Sequence, residues 1–222
     1  MRTLFHVPLC AFSRKVRLAL GEKKLDVILE IEQVWRRREE FYDINPAGQV
    51  PVLIDLNNKI ICDSFAIVEY LEDAYPEPSL FGTDIYGRAE VRRLIAWFDD
   101  KFNREVTKTL VYEKTLKRFF ASGGPDSNAL RAGKVALEWH LDYVCWLADR
   151  RNWLGGDDFT LADIAAAAHL STVDFIGHVP WDKFPEAKGW YVRVKSRPSF
   201  RSLLSDQMSG VLRADHYADL DF

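Results

Sequence analysis

The chain holds only three cysteines, Cys10, Cys62 and Cys145, among 222 residues. An odd number at wide spacing makes no disulfide framework, and without a CxxC pair no structural zinc site is expected. Neither sign of charge dominates: 30 bases against 33 acids leave a net charge of −3. General affinity for nucleic acid needs a strong basic excess or stripe, so that class is excluded. Long apolar runs are missing too. The stretch from Ile164 to Leu170 contains His169 and falls far short of the roughly 20 residues a bilayer-spanning helix needs. Met1 to His6 carries neither the apolar segment nor the small-residue cleavage site of a signal peptide, and a cytoplasmic protein is expected. Internal repeats and low-complexity tracts are also absent.

What is present reads as two unlike halves. Thr3 to His6 is a β-prone run closed by Pro8. From Ser13 to Lys23, Val16, Ala19 and Leu20 share one helical stripe, with Arg14, Lys15 and Arg17 expected on the other side. Asp26 to Ile31 is rich in Val, Ile and Leu and reads as a strand. Pro51 to Ile54 and Lys59 to Cys62 flank an Asn-rich turn and read as a hairpin. Ser64 is a natural N-cap for a helix with Ile67, Val68 and Leu71 on its inner face. The order is β-α-β, an irregular stretch, then β-β-α.

Pro76 and Pro78 end this segment, and no strand is expected beyond it. Val91, Leu94, Ile95, Phe98, Phe102, Val106 and Leu110 define a long amphipathic helix, broken at Gly123-Gly124-Pro125. Leu130 to Leu147 marks a second. Thr160 and Asp163 form a short-armed capping box before an apolar helix, Ile164 to Val173. Ala187 to Lys195 makes a further helix, stopped by Pro198. The expected division is 1–78, a linker 79–87, a helical unit 88–206 and a tail 207–222.

Three places carry chemistry. A cis bond at Val50-Pro51 would turn the chain and leave the Val50 backbone free to pair with an extended peptide; an ordinary trans proline at a strand start is the simpler reading. Asp63-Ser64 opens a helix, where free N–H groups attract a carboxylate; simple capping explains it as well. Cys10 precedes a helix rich in Arg14, Lys15 and Arg17, a setting that lowers a thiol pKa, against the alternative of a small buried hydrophobe. His140 and His169 read as packing residues within helices.

These pieces resemble the glutathione-transferase superfamily, in order and along nearly the whole chain: the strand and Cys10 turn, Ser13 to Arg17, Asn45-Pro46 to Val50-Pro51, Asp63-Ser64 to Tyr70-Leu71, and Thr160 to Asp163. The resemblance implies that fold: a thioredoxin-like α/β domain followed by an all-helical domain. It implies that Val50 and Pro51 would face the cysteinyl group of glutathione, that Asp63 and Ser64 would hold its γ-glutamyl carboxylate, and that Cys10 would be the catalytic residue. Ala11 departs from the family pattern, which often has Pro there. Glutathione is therefore a possible ligand or co-substrate, and no other cofactor is expected.

Within the superfamily the chain is most similar to the alphaproteobacterial transferase-like division proteins that bind FtsZ. The similarity lies in Trp35 with Arg36 to Glu40, in Ala89 to Leu94, in Tyr112-Glu113-Lys114 and in His216 to Phe222. It implies a homodimer that binds FtsZ filaments at the division site and promotes constriction, with catalysis lost. Partner binding would fall on Trp35, Arg36, Arg37, Asp219, Asp221 and Phe222. The alternative is a transferase or thiol-exchange enzyme using Cys10. On the residues themselves, an exposed Trp flanked by Arg has the composition of an interface hot spot, while an Arg-rich solvated loop with Trp35 folded onto the body fits equally. In the tail, Tyr217, Leu220 and Phe222 are costly to leave in water and favour docking on the body or on a partner.

Overall fold

A computed structural model describes residues 1–120 and 123–220. Two of the partner-binding candidates, Asp221 and Phe222, lie outside the described residues. The first domain runs β1 (Arg2–His6), α1 (Ala11–Glu22), β2 (Val27–Ile31), α2 (Glu39–Ile44), β3 (Val52–Ile54), β4 (Ile60–Cys62) and α3 (Ser64–Ala74). The strands form one mixed sheet ordered β2-β1-β3-β4. Leu4 of β1 sits opposite Leu29 in the parallel pairing and opposite Leu53 in the antiparallel one, and the two interior strands, β1 and β3, carry the buried Leu4 and Leu53. The β3–β4 turn bends through Asn57 and Asn58 at φ of 65° and 58°, a left-handed conformation that Asn tolerates better than most residues.

Two local expectations change. The cap of α3 is Asp63, whose carboxylate accepts the Phe65 N–H at 2.7 Å, while Ser64 is the first helical residue and is buried. The side chain one position earlier already satisfies the open amide. The basic side of α1 does not face water either. Arg14, Lys15 and Arg17 are all buried, because α1 is clamped between the sheet and the helical domain. Arg14 donates to the Pro8 carbonyl, Ser171, Tyr217 and Asp206; Arg17 pairs with Asp206 at 2.9 Å; Lys15 pairs with Asp99. Buried cations persist only when paired in this way.

The second domain is helical throughout its described named elements. α4 (Ile85–Ala96), capped by Asp84, continues through a helix of wider π register (Trp97–Leu116) into α5 (Lys117–Phe120). Phe98, Phe102, Val106 and Leu110 repeat every four residues. All four are fully buried. α6 (Ser127–Arg150), α7 (Leu161–Phe175), α8 (Pro185–Lys195) and α9 (Arg201–Leu204) complete the domain. α7 is buried along its whole length and forms its axis. Its capping box is present: the Thr160 hydroxyl accepts the Ala162 N–H, and Asp163 accepts the Thr160 N–H at 3.1 Å. Asp163 Oδ1 also accepts Leu154 N–H and the Trp190 indole, both at 2.8 Å, which fastens α8 and the preceding loop to the start of α7. No helix among the described residues is long and apolar enough to cross a membrane.

Candidate functional site

A cleft separates the sheet domain from the long helix of the second domain, and most of the expected site residues line it. Val50, Pro51, Asp63 and Ser64 meet around a small cavity of about 190 Å³, closed by Phe12 and Cys62. The Val50-Pro51 peptide bond is cis. Next to it a cavity of about 550 Å³ is lined by Cys10, Val50, Trp35, Arg37 and Phe120. A third, about 420 Å³, runs from Cys10 along Asn103, Thr107, Val111 and Tyr112. The structure therefore joins residues 10, 50–51 and 63–64, although up to 54 positions separate them in the chain.

Cys10 caps α1, and its half-buried thiol points toward the Val50 carbonyl, Sγ to O 3.8 Å. The expectation of a lowered thiol pKa is not met. Burial pushes the Cys10 thiol up, against the opposing pull of Ser13, the Phe12 and Ser13 amides and Arg14. The three α1 cations meanwhile pair with Asp206 and Asp99. At the other end of the cleft, the Asp63 carboxylate sits on the amide at the start of α3.

Trp35 lies in a 3₁₀ turn, Val34–Arg36, that sequence patterning leaves irregular. It is half-buried. Its indole stacks on Phe119 at 4.5 Å and meets Phe120 edge-on at 6.2 Å, so it bridges the two domains over the cleft. Arg36 and Arg37 are exposed beside it, and Arg37 also borders the cleft. Arg38 holds buried Glu32 at 2.6 Å. Next to Phe119, Arg118 donates to the Gly210 carbonyl at 2.7 Å, linking the neighbourhood of Trp35 to the base of the tail. The tail docks on the body through Tyr217, which is fully buried against Phe175, and through His216, whose Nε2 lies 2.9 Å from Asp174. Asp219 and Leu220 remain exposed.

Sequence reasoning missed the cleft walls contributed by Phe12, Asn103, Thr107 and Phe120. The available signal was Asn103 and Thr107, two polar residues four apart on the inward side of an otherwise apolar helix.

Family models describe the same architecture. The glutathione S-transferase N-terminal domain matches residues 4–79, and the glutathione S-transferase C-terminal domain matches residues 136–198. A Caulobacter vibrioides protein, FtsZ-localized protein A, is 49% identical over 100% of this chain and 98% of its own length. The chain belongs to the glutathione S-transferase family. Within that family, the solved structure of FzlA from C. crescentus superposes with a TM-score of 0.97 at 49% identity, over 100% of this chain and 99% of that one. A glutathione S-transferase from Rhodospirillum rubrum also reaches a TM-score of 0.97, at 55% identity and 100% coverage of both chains. Membership in the glutathione S-transferase family thus rests on both domains and on the full length.

Proposed function

We propose that this chain is an interaction protein of the transferase fold that binds FtsZ filaments in the cytoplasm, at the division site, and promotes constriction. The observation that carries this reading is the full-length similarity to FtsZ-localized protein A. The surface supports it. Trp35 is held rigid by stacking on Phe119, with Arg36 and Arg37 exposed beside it; a rigid aromatic next to Arg is the composition of a binding hot spot. The tail residues Asp219, Asp221 and Phe222 complete the proposed contact. The working form is a homodimer, and apolar surface at Val135, Trp139 and Trp146 of α6 is available for such an interface.

Co-sedimentation with polymerised FtsZ tests the reading. The protein should pellet with the polymer, and the Trp35→Ala variant should stay in the supernatant with its circular dichroism unchanged. Wild-type protein left in solution while FtsZ pellets sinks the proposal.

A second reading, glutathione conjugation or thiol exchange at Cys10, is favoured by one observation: Val50, Pro51, Asp63 and Ser64 line a single cavity beside that thiol. Calorimetry with glutathione tests it, and no heat at millimolar ligand removes it. Cys10→Ser then separates a mixed disulfide from simple thiolate stabilisation.

A further inference from the structure

The sheet ends in two edge strands that differ in kind. β4 is three residues long, and Lys59 immediately precedes it. β2 is five residues long, Val27-Ile28-Leu29-Glu30-Ile31, with one charge and no proline. Soluble proteins blunt their edges with short strands, lysine, proline or a covering element, because unpaired backbone groups invite another strand. β2 uses none of these. Ile28 is 45% exposed, Leu29 38% and Ile31 60%. Successive side chains alternate between the two faces, so apolar groups are wet on both faces at this edge.

The register fixes where the backbone groups of β2 point. The strand pairs with β1 alone, in parallel, with Ile31 opposite His6. The Glu32 N–H donates to the His6 carbonyl at 3.0 Å. In a parallel ladder, alternate residues turn both N–H and C=O toward the neighbouring strand. Ile28 and Glu30 therefore face β1, as Glu32 does, while Val27, Leu29 and Ile31 turn their N–H and C=O away from it. Among the described residues no backbone hydrogen bond reaches these outward groups. The chain then enters the Trp35 turn, followed by exposed Arg36 and Arg37. Among the described residues neither arginine has a carboxylate partner; the ion pairs there belong to Arg38.

We propose that the outer edge of β2 is a strand-addition site for an extended, apolar segment of FtsZ that carries acidic residues at the end nearer Arg36 and Arg37. The inference rests on the FtsZ reading and names the kind of segment the partner supplies. Hydrogen bonds to the outward groups of Val27, Leu29 and Ile31 give affinity, and the wet side chains of Ile28, Leu29 and Ile31 give the apolar preference. The unpaired guanidinium groups of Arg36 and Arg37 set the charge of the far end. Four positions separate Ile31 from Trp35. That is at most about 14 Å of chain, so one segment of about eight to ten residues reaches both the edge and the Trp35 surface. A second copy of this chain fits less well. Antiparallel pairing of β2 with itself about Leu29 sets Asp26 of one copy opposite Glu32 of the other, and like charges directly opposite destabilise a strand pair.

Hydrogen exchange of the full-length protein, alone and pelleted with polymerised FtsZ, tests the site residue by residue. Alone, the Leu29 and Ile31 amides should exchange at least about tenfold faster than those of Ile28 and Glu30, which the ladder holds. On the polymer, the Leu29 and Ile31 amides should slow by at least about tenfold. Ile31→Pro removes one outward donor and no ladder bond, and should weaken co-sedimentation about 3- to 10-fold with circular dichroism unchanged. Ile31→Val keeps that donor and should stay within about twofold of wild type. Protein that pellets while Leu29 and Ile31 stay unprotected overturns this site and leaves FtsZ binding standing; protein that fails to pellet overturns both. Protection of the same amides that rises with protein concentration in the absence of FtsZ gives the edge to a second copy and overturns the proposal, as does Ile31→Pro pelleting like wild type.

Discussion

Two basic runs in this chain look alike as text and meet opposite fates. Arg14, Lys15 and Arg17 open α1 and are buried; Arg36 and Arg37 follow Trp35 and stay in water. The difference lies in what arrives from elsewhere. Asp206 and Asp99, 192 and 84 residues downstream of their partners Arg14 and Lys15, meet the first run at the domain interface. Around the second run, among the described residues, only the neighbouring Arg38 is paired with a buried carboxylate, Glu32. A cation cluster becomes an interior lock when carboxylates are brought to it, and otherwise remains available to a partner.

The strongest way to break this contrast is to remove the shared acid. Asp206→Ala leaves two buried guanidinium groups without their carboxylate and should lower the unfolding free energy by about 3–5 kcal/mol, read by urea denaturation. The next effect is electrostatic. His6 is buried, and burial together with Arg17 and Arg14 pushes its imidazole down to about 4. The unfolded chain then binds a proton near pH 6.5 that the folded chain refuses, so the stability this residue contributes is complete above pH 6.5 and falls as pH drops toward 4. The loss amounts to about 3 kcal/mol, and His6→Gln should flatten that part of the pH–stability curve.

Smaller effects belong to the second run. Trp35→Ala should cost about 1–2 kcal/mol of stability through the lost stacking on Phe119 and Phe120. The same change should weaken association with FtsZ polymer at least tenfold in co-sedimentation. Arg36→Ala and Arg37→Ala should change stability by less than about 0.5 kcal/mol while still weakening polymer binding. If Arg36→Ala destabilised the fold as much as Asp206→Ala, the contrast between the two runs would collapse.

The contrast also marks where sequence reading stops. Apart from α2, which forms in the stretch read as irregular, the element order was legible because local patterns specify it: Leu4 and Leu53 in apolar strands, the Asn57-Asn58 turn, and the Thr160–Asp163 box before α7. The docking of Tyr217 could be anticipated from the cost of leaving it wet. The shift of the α3 cap to Asp63 was not legible, because both candidates are good caps and only the backbone turn decides between them. The inward face of α1 was hidden for a stronger reason. Helical periodicity assigns charge to water, and only tertiary pairing with Asp206 and Asp99 reverses that. The raised Cys10 pKa was hidden likewise, because burial of the thiol, which outweighs the pull of Arg14, is set by tertiary packing. Around the cleft, Thr107 carried a weak signal and Phe120 none, because their role depends on a domain packing that no local window contains.

Arg14 has a further consequence for how the protein is made. Its guanidinium binds Ser171, Asp206 and Tyr217, which follow it in the chain by 157, 192 and 203 positions. Domains emerging from the ribosome fold from the N-terminus first. Arg14 of the first helix must therefore stay hydrated until the segments carrying Ser171, Asp206 and Tyr217 have been made and packed against it. A change at Tyr217 is consequently felt at residue 14, 203 positions earlier in the chain.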